Sequence, residues 1–390
     1  MSWEKDPRFV DAKAKSVNEV LAILNAPKLR QTPNKRELSG PCPKCGTTGH
    51  NPKSGPPDRF NINISSGAFF CRQCHIRGGD VIKLICEVED CSFLEALTIL
   101  CGEKVKEETE EQKAERIERQ IALEKKLERE ADEREKESQR YRNYAMADAR
   151  KIWSKSRPGH LGVVGAYLAA RGIAPEMLAR IPGSLNFIVD HPYVKKIDGQ
   201  LVTVHRGPCM IARIVDQRDQ LVAVHQTWIS KDAPHGKASI VHNGKDMPAK
   251  LVRGSKKGGA IRLHSPDNAD TLIMGEGIET TLTAMVADPV PGAAYWAGVD
   301  LGNMSGIMKK VPGTRYSGVP DMTDKAAFVP PTWVKRLIYI QDGDSNPKAT
   351  RAKLLSGLRR AMAVVPGLTG QIVHAGEGVD LNDVLNAGST

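Results

Sequence analysis

Cys42-Pro-Lys-Cys45 and Cys71-Arg-Gln-Cys74 have the spacing of two metal-binding knuckles. Four thiolates gathered tetrahedrally suit Zn²⁺ held as a structural ion. Between the pairs, residues 59–70 (RFNINISSGAFF) alternate Phe60, Ile62 and Ile64 with polar side chains, can turn at Ser65-Ser66-Gly67 and return through Ala68 to Phe70. This pattern predicts a β-hairpin that delivers the second pair. A region so small buries little core, so metal binding would be coupled to its folding. His50 and His75 lie close enough in sequence to be alternative ligands in place of one thiolate. A redox dithiol is disfavoured, because no thioredoxin-like βαβ pattern surrounds either pair. The remaining cysteines, Cys86, Cys91, Cys101 and Cys209, have no ligand spacing and read as small buried hydrophobes.

A second group of residues could do phosphoryl chemistry. Glu276 follows the apolar run TLIM on a Gly-flanked turn, and Asp342 and Asp344 follow the run RLIYIQ. Strand C-termini of a parallel α/β sheet share one edge, where ligands bind. Carboxylates converging there repel one another unless cations lie between them. Mg²⁺ binds through one or two carboxylates together with substrate phosphates and stabilises attacking and leaving oxygens. Taken singly, a Gly-Glu-Gly or Asp-Gly-Asp turn is ordinary turn chemistry. Upstream lie Arg213, His225, Lys237, Lys250, Lys256, Lys257 and Arg262. These are candidates for charge-assisted contacts to triphosphates or nucleic-acid phosphates. Each is also readable as a solvated surface charge.

The elements that must position these residues fall into four zones. Residues 1–102 carry the cysteine pairs, with Val17, Val20, Leu21 and Leu24 on one face of a short helix. Residues 103–150 form a charge-dense run without Gly or Pro, rich in helix formers and in i,i+4 pairs such as Glu115 with Arg119 and Asp132 with Lys136. Its apolar stripe of Ile117, Ile121, Leu123 and Leu127 is too thin for a long coiled coil. It therefore reads as a solvated helical linker of roughly 60–70 Å. Residues 151–268 contain strand-like runs such as PCMIARIVD and QLVAVHQTWI and form a basic α+β subdomain. Residues 269–390 alternate strands (TLIM, AAYWA, RLIYIQ, QIVHAG) with helices over 280–286 and 347–362. That alternation predicts a mostly parallel sheet flanked by helices. The fold class expected is thus α/β and multidomain, with an N-terminal zinc ribbon.

The string AFFCRQCHIRGGDVIKLI resembles the end of the zinc ribbon in bacterial and phage replicative primases, where a Cys-x-x-Cys on a strand precedes a Gly-Gly-Asp turn and a helix. Gly78, Gly79 and Asp80 match that turn, and the helix begins at Val81. Many replicative primases have His as the second ligand, where Cys45 stands here. The resemblance implies that the ribbon recognises single-stranded template, with Arg59, Phe60, Phe69, Phe70 and Arg72 as candidate contacts; the three Phe are equally readable as hairpin core. Residues 269–390 resemble the Toprim fold of primases, topoisomerases and some nucleases. Glu276 matches the family glutamate, implied to be general base or metal ligand, and Asp342 and Asp344 match the family Asp-x-Asp. Gly378-Val-Asp380-Leu-Asn-Asp383 resembles the late acidic segment, adding Asp380 to the implied Mg²⁺ ligands, with Mn²⁺ as an alternative ion. One position departs: Pro347 stands where the family usually has Gly, although Pro is compatible with a first helical turn. The segments YLAARGI, PCMIARIVD, AVHQTWIS and KGGAIRL resemble the basic subdomain that precedes Toprim in phage and plasmid relatives, with Arg213 inside PCMIARIVD and Lys237 in the stretch between AVHQTWIS and KGGAIRL.

The resemblance implies a primase making short RNA primers on single-stranded DNA from nucleoside triphosphates, with a separate replicative helicase as a further partner. No Gly-x-x-x-x-Gly-Lys-Ser/Thr motif occurs in the 390 residues. The other readings are a different Toprim enzyme, nuclease or topoisomerase-like, and a non-catalytic recombination mediator with a four-cysteine site. Net charge of +10 and a pI near 9.1 favour a polyanionic partner. No run is long and apolar enough to cross a bilayer and the N-terminus lacks a signal-peptide stretch, so no membrane partner and a cytoplasmic location, in a bacterial cell or phage-infected host, are expected.

Overall fold

Two units divide the chain, Met1–Glu135 and Lys136–Thr390. The computed structural model describes residues 6, 8–32, 36–46, 59–103, 110–178, 180–197, 199–341 and 346–374. Among the described residues no helix is long and apolar enough to cross a membrane.

The first unit wraps helices around one antiparallel sheet. Helices α1 (Arg8–Ala14) and α2 (Val17–Ile23) come first, and α2 opens with a capping box between Ser16 and Glu19. Strands β1 (Arg30–Gln31), β2 (Glu37–Gly40), β3 (Phe60–Asn63), β4 (Phe69–Cys71) and β5 (Arg77–Gly78) then pair in sequence order. The expected hairpin is β3 with β4, in the register Phe60 to Cys71 and Ile62 to Phe69. Its turn is held by Asn63, whose Oδ1 accepts from the backbone N–H of Ser65 (3.1 Å) and Ser66 (3.0 Å). Helices α3 (Val81–Val88) and α4 (Phe93–Cys101) close the unit. The Gly-Gly-Asp turn has a local structural reason. Asp80 is the N-cap of α3 and accepts from Lys83 N–H at 2.9 Å. A Cβ at Gly78 would lie 2.5 Å from the Phe69 ring. Phe60 and Phe69 are core residues, whereas Phe70 is exposed, which settles which aromatic of the hairpin faces out. The cysteine expectation is corrected in part: Cys86, Cys91 and Cys101 are only half-buried at the rim of this core, and Cys209, in the second unit, is buried.

Helix α5 (Glu110–Lys155) is 46 residues long, about 69 Å at 1.5 Å per residue. Glu115 and Arg119 pair at 2.6 Å, and Ile117, Ile121 and Leu127 are exposed, as a solvated helix requires. Its end differs. Ala149 is fully buried, and Ile152 and Trp153 pack with it against Tyr193, Cys209, Ile211 and Trp228.

In the second unit an antiparallel sheet has the order β12 (Lys250–Gly254), β9 (Leu221–Trp228), β8 (Gln200–Val215), β7 (Leu185–Ile197) and β6 (Arg157–Pro158). A small hairpin, β10 (Ile240–His242) with β11 (Lys245–Met247), is inserted before β12. A second sheet has the order β13 (Ile261–His264), β15 (Ala294–Ala297), β14 (Thr271–Gly275), β16 (Arg336–Gln341) and β17 (Thr369–His374). Here β13 is antiparallel to β15 and the other three pairings are parallel. Helices α7 (Ile278–Ala287), α8 (Leu301–Ser305) and α9 (Pro347–Val364) flank it, after α6 (Val164–Ala169) earlier in the unit. Pro347 occupies the first turn of α9 behind Asn346, whose side chain caps Ala349 N–H at 3.0 Å. One continuous core joins Met210, Ala212 and Ile214 of the antiparallel sheet to Ile278 and Leu282 of α7. That core fixes α7 against one face of the antiparallel sheet.

Candidate metal centre and basic site

Cys42, Cys45, Cys71 and Cys74 converge, with all four sulfurs within 4.8 Å of one another. The Cys42–Cys74 and Cys45–Cys71 separations are 3.7 and 3.8 Å. A tetrahedron with Zn–S bonds of 2.3 Å has S···S edges of about 3.8 Å, so the donor set fits Zn²⁺ in both softness and spacing. The knuckles are made locally. Gly46, at φ 62°, donates to Cys42 O at 2.8 Å, and His75, at φ 60°, donates its backbone N–H to Cys71 O at 3.1 Å. Gln73 N–H points at Cys71 Sγ at 3.4 Å. Burial works against the Cys71 thiolate, but the Cys74 and Gln73 amides outweigh it and bring its pKa below the usual thiol range. His75 is exposed and is not in the cluster. His50 lies outside the described residues.

In the second unit, β14 ends at Gly275 and α7 begins at Ile278, so Glu276 sits on the turn between them. Thr281 folds back onto that turn. Its hydroxyl donates to Gly277 O at 2.7 Å and accepts from Gly275 N–H at 3.2 Å. Gly298 N–H donates to Gly275 O at 2.9 Å, tying the ends of β14 and β15 together. The next residue, Val299, has φ 75°, a conformation unfavourable for a β-branched side chain and of the kind that clusters at functional sites. Asp342 and Asp344 follow directly after β16, which is parallel to β14 and its neighbour. Asp342, Asp344 and Asp380 lie outside the described residues.

Glu279, three residues beyond Glu276, is the residue that sequence reasoning missed. It is 6% exposed on the first turn of α7. Lys250 Nζ lies 3.0 and 3.1 Å from its two oxygens, Lys237 Nζ lies 4.0 Å away, and the Tyr167 hydroxyl donates to Oε1. Burial alone would raise this carboxyl's pKa. The Lys250 ammonium, the Tyr167 hydroxyl and the Lys237 ammonium outweigh it and hold Glu279 at about 2. Burial, then repulsion from Lys250, lowers the Lys237 ammonium below its usual range. His225 is buried beside them. Burial, reinforced by Lys250, pushes its imidazole down to about 4, so it is neutral at pH 7.

The expected basic set divides between two faces of the antiparallel sheet. Residues opposite each other across a strand pair share a face. Met210, Thr227 and Lys250 line up across β8, β9 and β12, as do Ala212, His225 and Val252. This is the face toward α7. Arg213, Val224 and Arg253 line up on the other face. Arg213 is there paired with Asp219 at 3.1 Å, away from the Lys250 cluster. Lys256 is paired with Asp300, the N-cap of α8, and Lys257 is exposed on the same loop. Arg262 lies 4.6 Å from the centroid of the Trp296 ring and also pairs with Asp219 at 3.3 Å.

A family model described as Domain of unknown function (DUF7146) matches residues 143–263, from the last turns of α5 through the antiparallel sheet to β13. No curated protein matches the chain. Among solved structures, the zinc-binding and RNA polymerase domains of the Aquifex aeolicus primase are similar at 14% identity and TM-score 0.35, covering 97% of this chain and 82% of that one. A DNA primase domain from Pseudomonas aeruginosa is similar at 14% identity and TM-score 0.35, covering 63% and 74%. The primase fragment of the bacteriophage T7 primase-helicase protein is similar at 16% identity and TM-score 0.30, covering 56% and 69%.

Proposed function

We propose that this chain is a DNA primase that makes short RNA primers on single-stranded DNA. One observation carries the reading: a four-thiol ribbon ending in Gly-Gly-Asp shares a chain with a Gly-Glu-Gly turn at the end of a parallel strand, and two lysines flank the helix that this turn begins. In this reading the ribbon holds template. Lys250 and Lys237 bind triphosphate oxygens by charge-assisted contacts. Glu276, Asp342 and Asp344, with Asp380 as a further ligand, would hold Mg²⁺, which supplies charge neutralisation at the phosphates. The primer 3′-hydroxyl loses its proton and attacks the α-phosphorus of the incoming ribonucleotide; a P–O bond forms and pyrophosphate leaves. Glu276 takes the role of proton acceptor or ligand through the resemblance of its turn to that of the family glutamate.

The test is synthesis of labelled oligoribonucleotides on single-stranded DNA with Mg²⁺. Short products are expected from the wild type, and none from Glu276→Ala or Asp342→Ala. Cleavage of the DNA without synthesis would replace the reading by a nuclease. Binding with neither activity would replace it by a recombination mediator.

A further inference from the structure

The antiparallel sheet of the second unit carries a cavity on the face turned away from Glu279. It has a volume of about 800 Å³ and lies between the last turns of α5 and strands β7, β8, β9 and β12. Its floor is aromatic and fixed. His191 stacks on Trp228 at 5.5 Å between ring centroids, accepts the indole N–H through its own carbonyl at 3.0 Å, and holds Gln226 through Nε2 at 2.6 Å. Burial lowers the His191 pKa, so the floor is uncharged at neutral pH.

The rim is cationic. Five Lys or Arg residues line the cavity against two Asp. Asp148 is taken by Arg253 at 2.6 Å, and Asp190 is taken by Arg206. Among the described residues no carboxylate pairs with Lys151, Lys155 or Lys196, all of which are exposed. Tyr144 stands at the mouth. The residue is 67% exposed even though the Arg253 guanidinium lies 6.0 Å from its ring centroid. Tyr141, one turn earlier on the same helix face, is 69% exposed. Tyr141, Tyr144, Asp148, Lys151 and Lys155 recur at spacings of three and four along α5, so two open rings run straight into two unpaired ammonium groups.

Exposed rings interleaved with unpaired cations are what a single strand of nucleic acid requires, since every base has a π-face and every phosphate a charge. An acidic protein segment would use the cations but not the rings. From these features we infer that the groove between the end of α5 and the outer face of the antiparallel sheet binds single-stranded nucleic acid, with a base stacked on Tyr144 and the backbone along Lys151, Lys155 and Lys196. This deepens the primase reading by giving the strand a second surface, distinct from the Lys237–Lys250 face. The route between the two faces is short. β12 is the edge strand of the sheet, with Lys250 directed to one face and Arg253 to the other.

The test uses the full chain without Mg²⁺ or nucleotides, measuring fluorescence anisotropy of a labelled oligothymidylate at several salt concentrations. Tyr144→Ala is expected to weaken binding about five- to 150-fold, the range for loss of one base–aromatic stack, while Tyr144→Phe binds as wild type. The triple variant Lys151→Ala, Lys155→Ala, Lys196→Ala is expected to reduce the slope of log K against log salt by about 2, at roughly 0.7 per lost contact to a single strand. A bromodeoxyuridine strand should cross-link within residues 141–155. Unchanged affinity and salt slope in both Tyr144→Ala and the triple variant would overturn the inference. So would competition by polyglutamate that depends on the lysines while Tyr144→Ala has no effect, which would assign the groove to an acidic protein. Weakened binding by these variants of a protein that makes no primers would leave the groove standing and remove the primase reading. Primer synthesis with normal binding by the variants would do the reverse.

Discussion

Acidification should destabilise the second unit most strongly through one buried imidazole, that of His225. His225 is 8% exposed on the inner face of β9. Burial and Lys250 hold it at about 4, with Lys237 and Lys256 acting in the same direction and only Glu279 opposing them; an unfolded His titrates near 6.5. Between those values the unfolded chain takes up a proton that the folded chain refuses, so stability rises with pH. The contribution is fully present above about pH 6.5 and is lost as pH falls toward 4. Integrating over that interval, lowering the pH from 7 to 4.5 removes about 2.4 kcal/mol. Carboxylates and the His191 imidazole also titrate in this range, so the comparison must be internal. Urea denaturation followed by Trp emission at pH 7.0 and 4.5 should show a pH-dependent loss larger by about 2 kcal/mol in wild type than in His225→Gln. Four of the five Trp residues lie in this unit, so the signal reports it. A difference between the two proteins below about 0.5 kcal/mol would refute the claim that the imidazole is kept neutral by its surroundings.

Two further outcomes follow from the sites described. Glu279→Gln leaves two ammonium groups facing each other without their shared carboxylate. Breaking a buried pair by removing one partner costs about 3–5 kcal/mol, discounted here to about 2 because the lysine side chains are 32% and 42% exposed. Urea denaturation at pH 7 measures it, and unchanged stability would contradict a charged Glu279. Cys71→Ser should lower bound zinc, measured by elemental analysis, from one ion per chain toward none. Unchanged stoichiometry would remove Cys71 from the ligand set.

Features generated within a few residues were legible in the sequence. The hairpin β3–β4, the helix starts at Val81 and Pro347, the turn carrying Glu276 and the four-cysteine spacing all arise from neighbours along the chain. The Glu279 cluster was not, because Lys250 and Tyr167 come from 29 and 112 residues away. Its one local signal is a carboxylate on the same early turn of α7 as Ile278 and Leu282, which face the core. The division of the basic residues between two faces was also hidden. Six consecutive residues of β9, from Ala223 to Trp228, are buried, because both faces of the sheet are covered at that strand. Alternation that would reveal sidedness is therefore absent, and only the register to β8 and β12 separates His225 from Gln226.

Burying a carboxylate against two lysines looks counterproductive for a face proposed to bind phosphates, since it cancels one positive charge. The alternative is worse. Two ammonium groups close together in a half-buried site disfavour each other's protonation, and Lys237 is already lowered by burial and by Lys250. Glu279 keeps a net charge of +1 in place of a pair that would shed a proton. It also fixes where both ammonium groups stand, since each is held to a side chain on a helix whose own start is pinned by Thr281 and Gly298. The start of α7 thus follows directly on the turn that carries Glu276, and its first turn positions Lys250 and Lys237 through Glu279. The helix N-terminus further stabilises the negative charge that does the positioning. A buried carboxylate three residues past the turn is, on this view, the cost of keeping two lysines both charged and in register with Glu276.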